Sequence, residues 1–164
     1  MNGEENTLNT AARFINSTYL DRLKREAAAS PNLRSRLCLH CDTQSPVQEM
    51  INVFCHDSYL RPHRHPQGKT ESYHIIEGVL RVYLFDELGV VNTYSDLCNS
   101  DPKAPFLFYQ PGGLWHMPVA MTPFVVFHEV YTGPFEEDRD VEYADWSPEP
   151  KNPVSVNAFK AGLP

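Results

Sequence analysis

The sequence predicts an all-β fold, an antiparallel sandwich or barrel preceded by one amphipathic helix. Three observations lead there. Between Leu37 and about Val130 there is no helical repeat, only short segments rich in β-branched and aromatic residues, the residue types that suit strands. Pro, Gly, Asn and Asp separate these segments at the short, even intervals typical of sandwiches and barrels. Finally, His63 and His65 are separated by a single residue and point the same way only on a strand, where side chains alternate with period 2.

The elements follow in order. Residues 1–12 are polar and read as a frayed arm. Phe14, Ile15, Tyr19, Leu20, Leu23 and Ala27 then recur at helical spacing, which predicts a helix from about Thr18 to Ala29, capped by Ser17 or Thr18 and ended by Pro31. Strands are expected at Val47 to Phe54, Tyr59 to His63, Glu71 to Glu77, Val79 to Phe85, Val90 to Tyr94, Phe106 to Gln110, His116 to Ala120 and Phe124 to Tyr131. Glu77-Gly78 and Asp86-Glu87-Leu88-Gly89 read as tight turns that make one long hairpin of residues 71–94. From Gly133 the chain is rich in Pro, Glu and Asp, with Phe135, Tyr143, Trp146 and Phe159 as anchors; a tail without regular structure is expected to wrap the barrel. The domain plan is an arm and helix over 1–36, a barrel over 37–132 and a packed tail over 133–164.

Composition narrows the function. With 164 residues, 41% of them hydrophobic, one domain of ordinary core size is expected. The 14 basic and 21 acidic residues give a net charge of -7, which speaks against nucleic acid or an anionic membrane as partner. No apolar run is long enough for a bilayer, and the start lacks a secretion signal, so a cytoplasmic protein with a small-molecule ligand is expected. The four cysteines read as structural thiols. Cys38-Leu39-His40-Cys41 has CxxC spacing, but no second pair follows to complete a zinc site.

Three imidazoles and a carboxylate, His63, His65, Glu71 and His116, can close around a divalent metal if the fold brings them together. Their pattern resembles a known one. His63-x-His65, five residues, Glu71, six residues and Gly78 resemble the first cupin motif, and Pro111-x-Gly113-x-x-His116 resembles the second. The resemblance implies a double-stranded β-helix, the cupin or jelly-roll barrel, with a metal held inside by His63, His65, Glu71 and His116. A narrower resemblance, over about residues 14–149, is to the WbuC-like cupins. It rests on Ala29-Ser30-Pro31 with Arg34 and Arg36, His40, Val47-Gln48, Ser58-Tyr59-Leu60-Arg61-Pro62-His63-Arg64-His65, Lys69-x-Glu71, Phe85-Asp86-Glu87-x-Gly89, Glu129, Gly133-Pro134-Phe135 and Ala144-x-Trp146-x-Pro148-Glu149. It implies a small metalloprotein associated with bacterial surface-polysaccharide synthesis and brings no reaction with it. The gap between His65 and Glu71 is longer than the usual three or four residues, which leaves two arrangements: Glu71 on the metal, or three histidines with water, approached by Gln48 or Glu129.

Such donors suit Zn, Fe, Ni, Mn or Cu without choosing among them. Strand parity places Tyr59 and Arg61 with His63, and Tyr73 with Glu71. The candidate catalytic residues are Glu129, Tyr59 and Tyr73; the candidate substrate-binding residues are Arg61, Lys69 and Gln48. Arg61 is either a fork for an anion or a solvated strand-end residue, and Lys69 pairs with Glu129 or a ligand anion or stays solvated. Glu129 stands in the apolar run Phe124 to Tyr131, where a carboxylate is costly unless paired or functional. Two function classes result. One is a metal-dependent enzyme on a small polar molecule such as a sugar or nucleotide-sugar, an isomerase, epimerase or lyase, or a dioxygenase with iron. The other is a non-catalytic metal-assisted sugar-binding module. A homodimer is expected because two-fold pairs are the commonest assemblies.

Overall fold

In the computed structural model, which describes residues 12–164, two five-stranded antiparallel sheets face each other. Helix α1 (Ser17–Ala29) leads in; Asn16 caps it, its side chain accepting from the Tyr19 N–H at 3.2 Å. The cap thus lies just ahead of the expected Ser17 or Thr18, because Asn16 is the residue that keeps extended dihedrals. Ser30, before Pro31, is extended and ends the helix. Of the expected arm over residues 1–12, all but Ala12 lies outside the described residues.

The first sheet has the order β1 (Arg34–Cys38), β2 (Val47–Cys55), β9 (Phe124–Thr132), β4 (Glu71–Glu77), β7 (Leu107–Gln110). The second has β10 (Glu142–Tyr143), β3 (His63–Arg64), β8 (Trp115–Ala120), β5 (Val79–Phe85), β6 (Val91–Cys98). Alternation along the strands builds three apolar layers. Phe54, Tyr73, Ile75, Leu80, Val82, Val125 and Phe127 fill the space between the sheets. Leu20, Leu23 and Ala27 of α1 pack on Leu37, Ile51, Val53 and Val126 behind the first sheet. The apolar face of the helix therefore covers its own barrel, and the expected homodimer gets no support from it.

Three expectations need correction. The long hairpin of residues 71–94 does not form, because β4 and β5 lie in different sheets and only β5 and β6 pair. Gly78 is a corner rather than a hairpin turn: its φ is +81°, and a Cβ there would sit 2.4 Å from the Phe124 carbonyl. The expected strand Tyr59 to His63 reduces to His63–Arg64. The tail is not irregular. It forms α2 (Glu137–Asp140), β10 and α3 (Pro153–Ala161), and seats Ala144, Trp146 and Phe159 on Tyr83, Phe85, Trp115 and Met117 behind the second sheet. Among the described residues no helix is long and apolar enough to cross a membrane.

Candidate metal centre

The site lies where the two sheets face each other, and each contributes part of it. On the second sheet, His63 of β3 stands directly opposite His116 of β8, and His65 follows one turn of alternation later, its carbonyl accepting from the Gly113 N–H at 2.7 Å. On the first, Glu71 opens β4 between Gln110 of β7 and Tyr131 of β9. The five residues between His65 and Glu71 are taken up by a turn: Lys69 N–H donates to the Pro66 carbonyl and Gly68 takes φ +84°. Glu71 therefore enters the cluster with the three histidines, the placement that the first of the two arrangements needs. One donor atom from each of His63, His65, Glu71 and His116 lies within 4.8 Å of the other three, and all four residues are buried.

The hydrogen bonds around the imidazoles orient them. His63 Nδ1 donates to the Arg61 carbonyl at 3.0 Å, His65 Nδ1 to that of Asp140 at 2.7 Å and His116 Nδ1 to that of Leu114 at 3.0 Å. A carbonyl only accepts, so each Nδ1 carries the proton and each Nε2 is left with its lone pair. These lone pairs turn toward the Glu71 carboxylate, with His65 Nε2 3.3 Å from Oε1 and His116 Nε2 3.0 Å from Oε2. Lone pairs gathered on a buried carboxylate repel unless a proton or a cation lies among them. Backbone-oriented imidazoles of this kind are what a metal-binding histidine requires.

The electrostatics agree. Burial pushes the Glu71 carboxyl up, but the charge and hydrogen bonds of His116 and His65 outweigh it and hold Glu71 well below the usual range. Burial and the neighbouring His116 drive His63 well below its ordinary value. For His65 burial is outweighed by the hydrogen bond and charge of Glu71, and the imidazole is raised.

The other expected residues divide. Tyr73 joins the cluster, its hydroxyl 3.3 Å from His116 Nε2, and burial followed by the charges of Glu71 and Glu129 raises it well above the ordinary tyrosine value. Glu129 faces inward opposite Tyr73, takes a 2.6 Å hydrogen bond from Asn52 and is pushed up to about 8 by burial and by Glu71. His128 turns to the other face, toward Glu49. Tyr59 and Arg61 do not join the site. The Tyr59 hydroxyl donates to the Pro148 carbonyl, and Arg61 donates to Ser147, Glu149 and the Ala144 carbonyl. Strand parity fails for them because the segment before His63 is not a paired strand. Lys69 reaches Asp140 and the Thr132 and Pro134 carbonyls rather than Glu129. Gln48 braces the loop before β2 through the Asp42 and Ser45 carbonyls. Cys38 and Cys41 belong to no cluster of three metal-type donors among the described residues.

Two neighbours were not anticipated. Gln110 is fully buried, donates to Glu71 Oε2 at 2.6 Å and leaves its Oε1 without a partner. Tyr131 places its ring 4.7 Å from that of His65, tilted by 56°, and leaves its buried hydroxyl without a partner among the described residues. Both were within reach of the sequence: Gln110 directly precedes the Pro111 motif, and Tyr131 shares the parity of Glu129. Orphaned polar atoms beside four converging donors fit a site built for an ion and its remaining ligands.

Comparison with known proteins agrees with this architecture. Residues 15–97 match the model of the family described as Domain of unknown function (DUF6016). No curated protein matches in sequence. Among solved structures, a protein from Shewanella oneidensis is 14% identical, with TM-score 0.57 over 76% of this chain and 84% of its own. Oxalate oxidase in complex with the substrate analogue glycolate is 16% identical, with TM-score 0.54 over 82% of this chain and 74% of its own. Oxalate decarboxylase from Bacillus subtilis is 22% identical, with TM-score 0.51 over 80% of this chain and 34% of its own. At these identities the likeness is one of fold, the cupin jelly-roll barrel.

Proposed function

The chain belongs to the DUF6016 family, and from its fold and the buried cluster we propose a cupin-fold metalloprotein that binds or acts on a small polar metabolite. The finer reading is WbuC-like, with a sugar or nucleotide-sugar intermediate of surface-polysaccharide synthesis as ligand. The observation that supports metal binding is the set of three imidazoles whose Nδ1 protons are fixed by the carbonyls of Arg61, Asp140 and Leu114.

His63, His65, Glu71 and His116 would hold a Zn, Fe, Ni or Mn ion, which when bound supplies Lewis acidity and a water of lowered pKa. The protein's own groups have separate tasks. Glu129, pushed up to about 8, keeps or gives a proton near neutrality, the range a general acid or base needs. Asn52 fixes one of its oxygens. Tyr73 stays protonated and holds a hydrogen-bonding hydroxyl beside His116. Such ionisable groups inside the pocket favour an enzyme over a passive sugar-binding wall.

The test is elemental analysis of tag-free wild type beside a His63→Ala/His116→Ala variant. Near-stoichiometric metal in the first and its loss in the second is the expected result. Metal in neither overturns the reading.

A further inference from the structure

The seam between the two sheets beside the metal centre carries two arginines with no acidic partner. Strand β1 is one edge of the first sheet and β10 is the facing edge of the second. In the β1/β2 register Arg34 stands opposite Phe54 and Arg36 opposite Asn52. Phe54 belongs to the core between the sheets and Asn52 holds Glu129, so this parity turns both arginines to the barrel side. The alternate residues face the other way: Ser35 donates to the Leu23 carbonyl of α1 and Leu37 is buried beneath that helix. The side-chain contacts agree, since the Arg34 guanidinium lies over the Phe54 ring, 5.3 Å from its centroid.

Across the seam stands Tyr143, which pairs in register with His63 and places its ring 6.1 Å from that imidazole. Burial, followed by the charge of Glu137, raises the Tyr143 hydroxyl, and the charges of Arg34 and Arg61 act against that rise. Arg34 and Arg36 thus lie on the barrel side of one sheet edge, and Tyr143 stands on the facing edge beside His63.

Their lack of partners is informative in so acidic a chain. Arg61, Arg64 and Arg81 each hold a carboxylate, whereas among the described residues Arg34 and Arg36, like the exposed Arg13 and Arg25, make no ion pair; what sets this pair apart is the Arg34 Nε, buried without an acceptor, while the Arg36 charge is felt by Glu129 without a direct contact. A buried guanidinium N–H left unpaired is costly, and two neighbouring arginines repel. An anion entering between them removes both costs, and the guanidinium fork suits phosphate or carboxylate oxygens.

We propose that Arg34 and Arg36, with the Tyr143 hydroxyl, bind the acidic group of the ligand, a phosphate or carboxylate, whose polar remainder reaches the His63, His65, Glu71 and His116 cluster. This deepens the proposed function and rests on it: the metabolite is an anion, oriented by the seam and presented to the metal end first.

The test is calorimetric titration of inorganic phosphate and of malonate into metal-loaded and chelator-treated protein, with metal content and Tm measured alongside. Three forms are compared: wild type, Arg34→Gln/Arg36→Gln, and Arg13→Gln/Arg25→Gln as a control of equal charge change on exposed positions. The expected result is one-to-one binding of at least one probe by wild type and control, weakened at least tenfold in the Arg34/Arg36 variant with metal content unchanged. The probe that binds more tightly tells phosphate from carboxylate. A probe that merely ligated the metal would bind all three forms alike, and that result overturns the proposal, as does binding of neither probe or an equal loss in the control. Arginine-dependent binding by a wild type that takes up no metal would retain the anion site and remove the metal reading. If the double variant does not fold, Arg36→Gln decides by the same criterion, because that side chain is exposed.

Discussion

Gln110 donates its side-chain amide to Glu71 Oε2 at 2.6 Å across the β4/β7 register, and the same nitrogen lies 3.1 Å from His116 Nε2. A single neutral residue therefore sets the spacing between a carboxylate and an imidazole that come from opposite sheets. Replacing it by leucine keeps the volume and removes the tether. Gln110→Leu is expected to weaken metal binding about 10–100-fold, the usual cost of losing an outer-shell partner, measured by competition with a chromophoric chelator. Unchanged affinity would show that the tether is irrelevant to the site.

Asp140 acts at one further remove. Its buried carboxylate accepts from the Glu136 N–H at 2.8 Å and from Lys69 at 3.4 Å, which holds α2 so that the Asp140 carbonyl meets His65 Nδ1. Asp140→Ala leaves every donor in place, yet it is expected to lower metal affinity by about tenfold and Tm by roughly 2–4 °C for each kcal/mol lost. Calorimetric scans of metal-free and metal-loaded forms separate the two effects. A variant whose Tm falls while its metal affinity holds would dissociate α2 from the orientation of His65.

Glu129 gives a pH signature. Its folded-state pKa is raised to about 8 by burial and Glu71, partly offset by His65, Arg36 and the Asn52 hydrogen bond. The folded state thus binds its proton more tightly than the unfolded chain, whose glutamate titrates near 4.3. The Glu129 contribution to the stability of metal-free protein therefore falls as pH rises from about 4.3 to about 8 and then levels off. Glu129→Gln removes that slope, so its Tm advantage should be near zero at pH 4.5 and greatest at pH 8 or above. Parallel Tm-against-pH curves would contradict the assignment.

Arg61 ties the tail to the barrel. Its guanidinium donates to Ser147, Glu149 and the Ala144 carbonyl, so Arg61→Ala removes three charge-assisted hydrogen bonds at a cost of about 1–3 kcal/mol, while Ser147 keeps its own bonds to that carbonyl. Limited chymotrypsin digestion should cut the variant first at Trp146 and Phe159, well before wild type. Equal protection would mean that apolar packing alone seats the tail.

The clustering of His63, His65, Glu71 and His116 was legible because the chemistry restricts residue types and spacing together: His63 and His65 share parity, and His116 follows a Pro-Gly turn. What parity could not foresee was its own range. It holds along β4, where Glu71, Tyr73 and Ile75 all face inward, and fails ahead of His63, where Pro62 interrupts pairing and turns Tyr59 and Arg61 to the tail. The corner at Gly78 was invisible for a related reason, since a glycine with positive φ serves a hairpin and a sheet-to-sheet crossing equally well. The tail's helices were missed because their stability comes from docking Trp146 and Phe159 onto the barrel rather than from local periodicity. Gln110 offered only its place beside Pro111.

Strand β3 is two residues long and meets β8 through one register pair, His63 with His116. So little backbone pairing leaves the contact between the first and second motifs dependent on what lies between those imidazoles. An ion there is a clasp, and its binding energy enters the folding equilibrium by mass action. Free metal at 100 times Kd adds about 2.7 kcal/mol to the folded state. Cells short of that metal would hold a looser, more readily degraded population, so the abundance of this protein would report the metal supply itself.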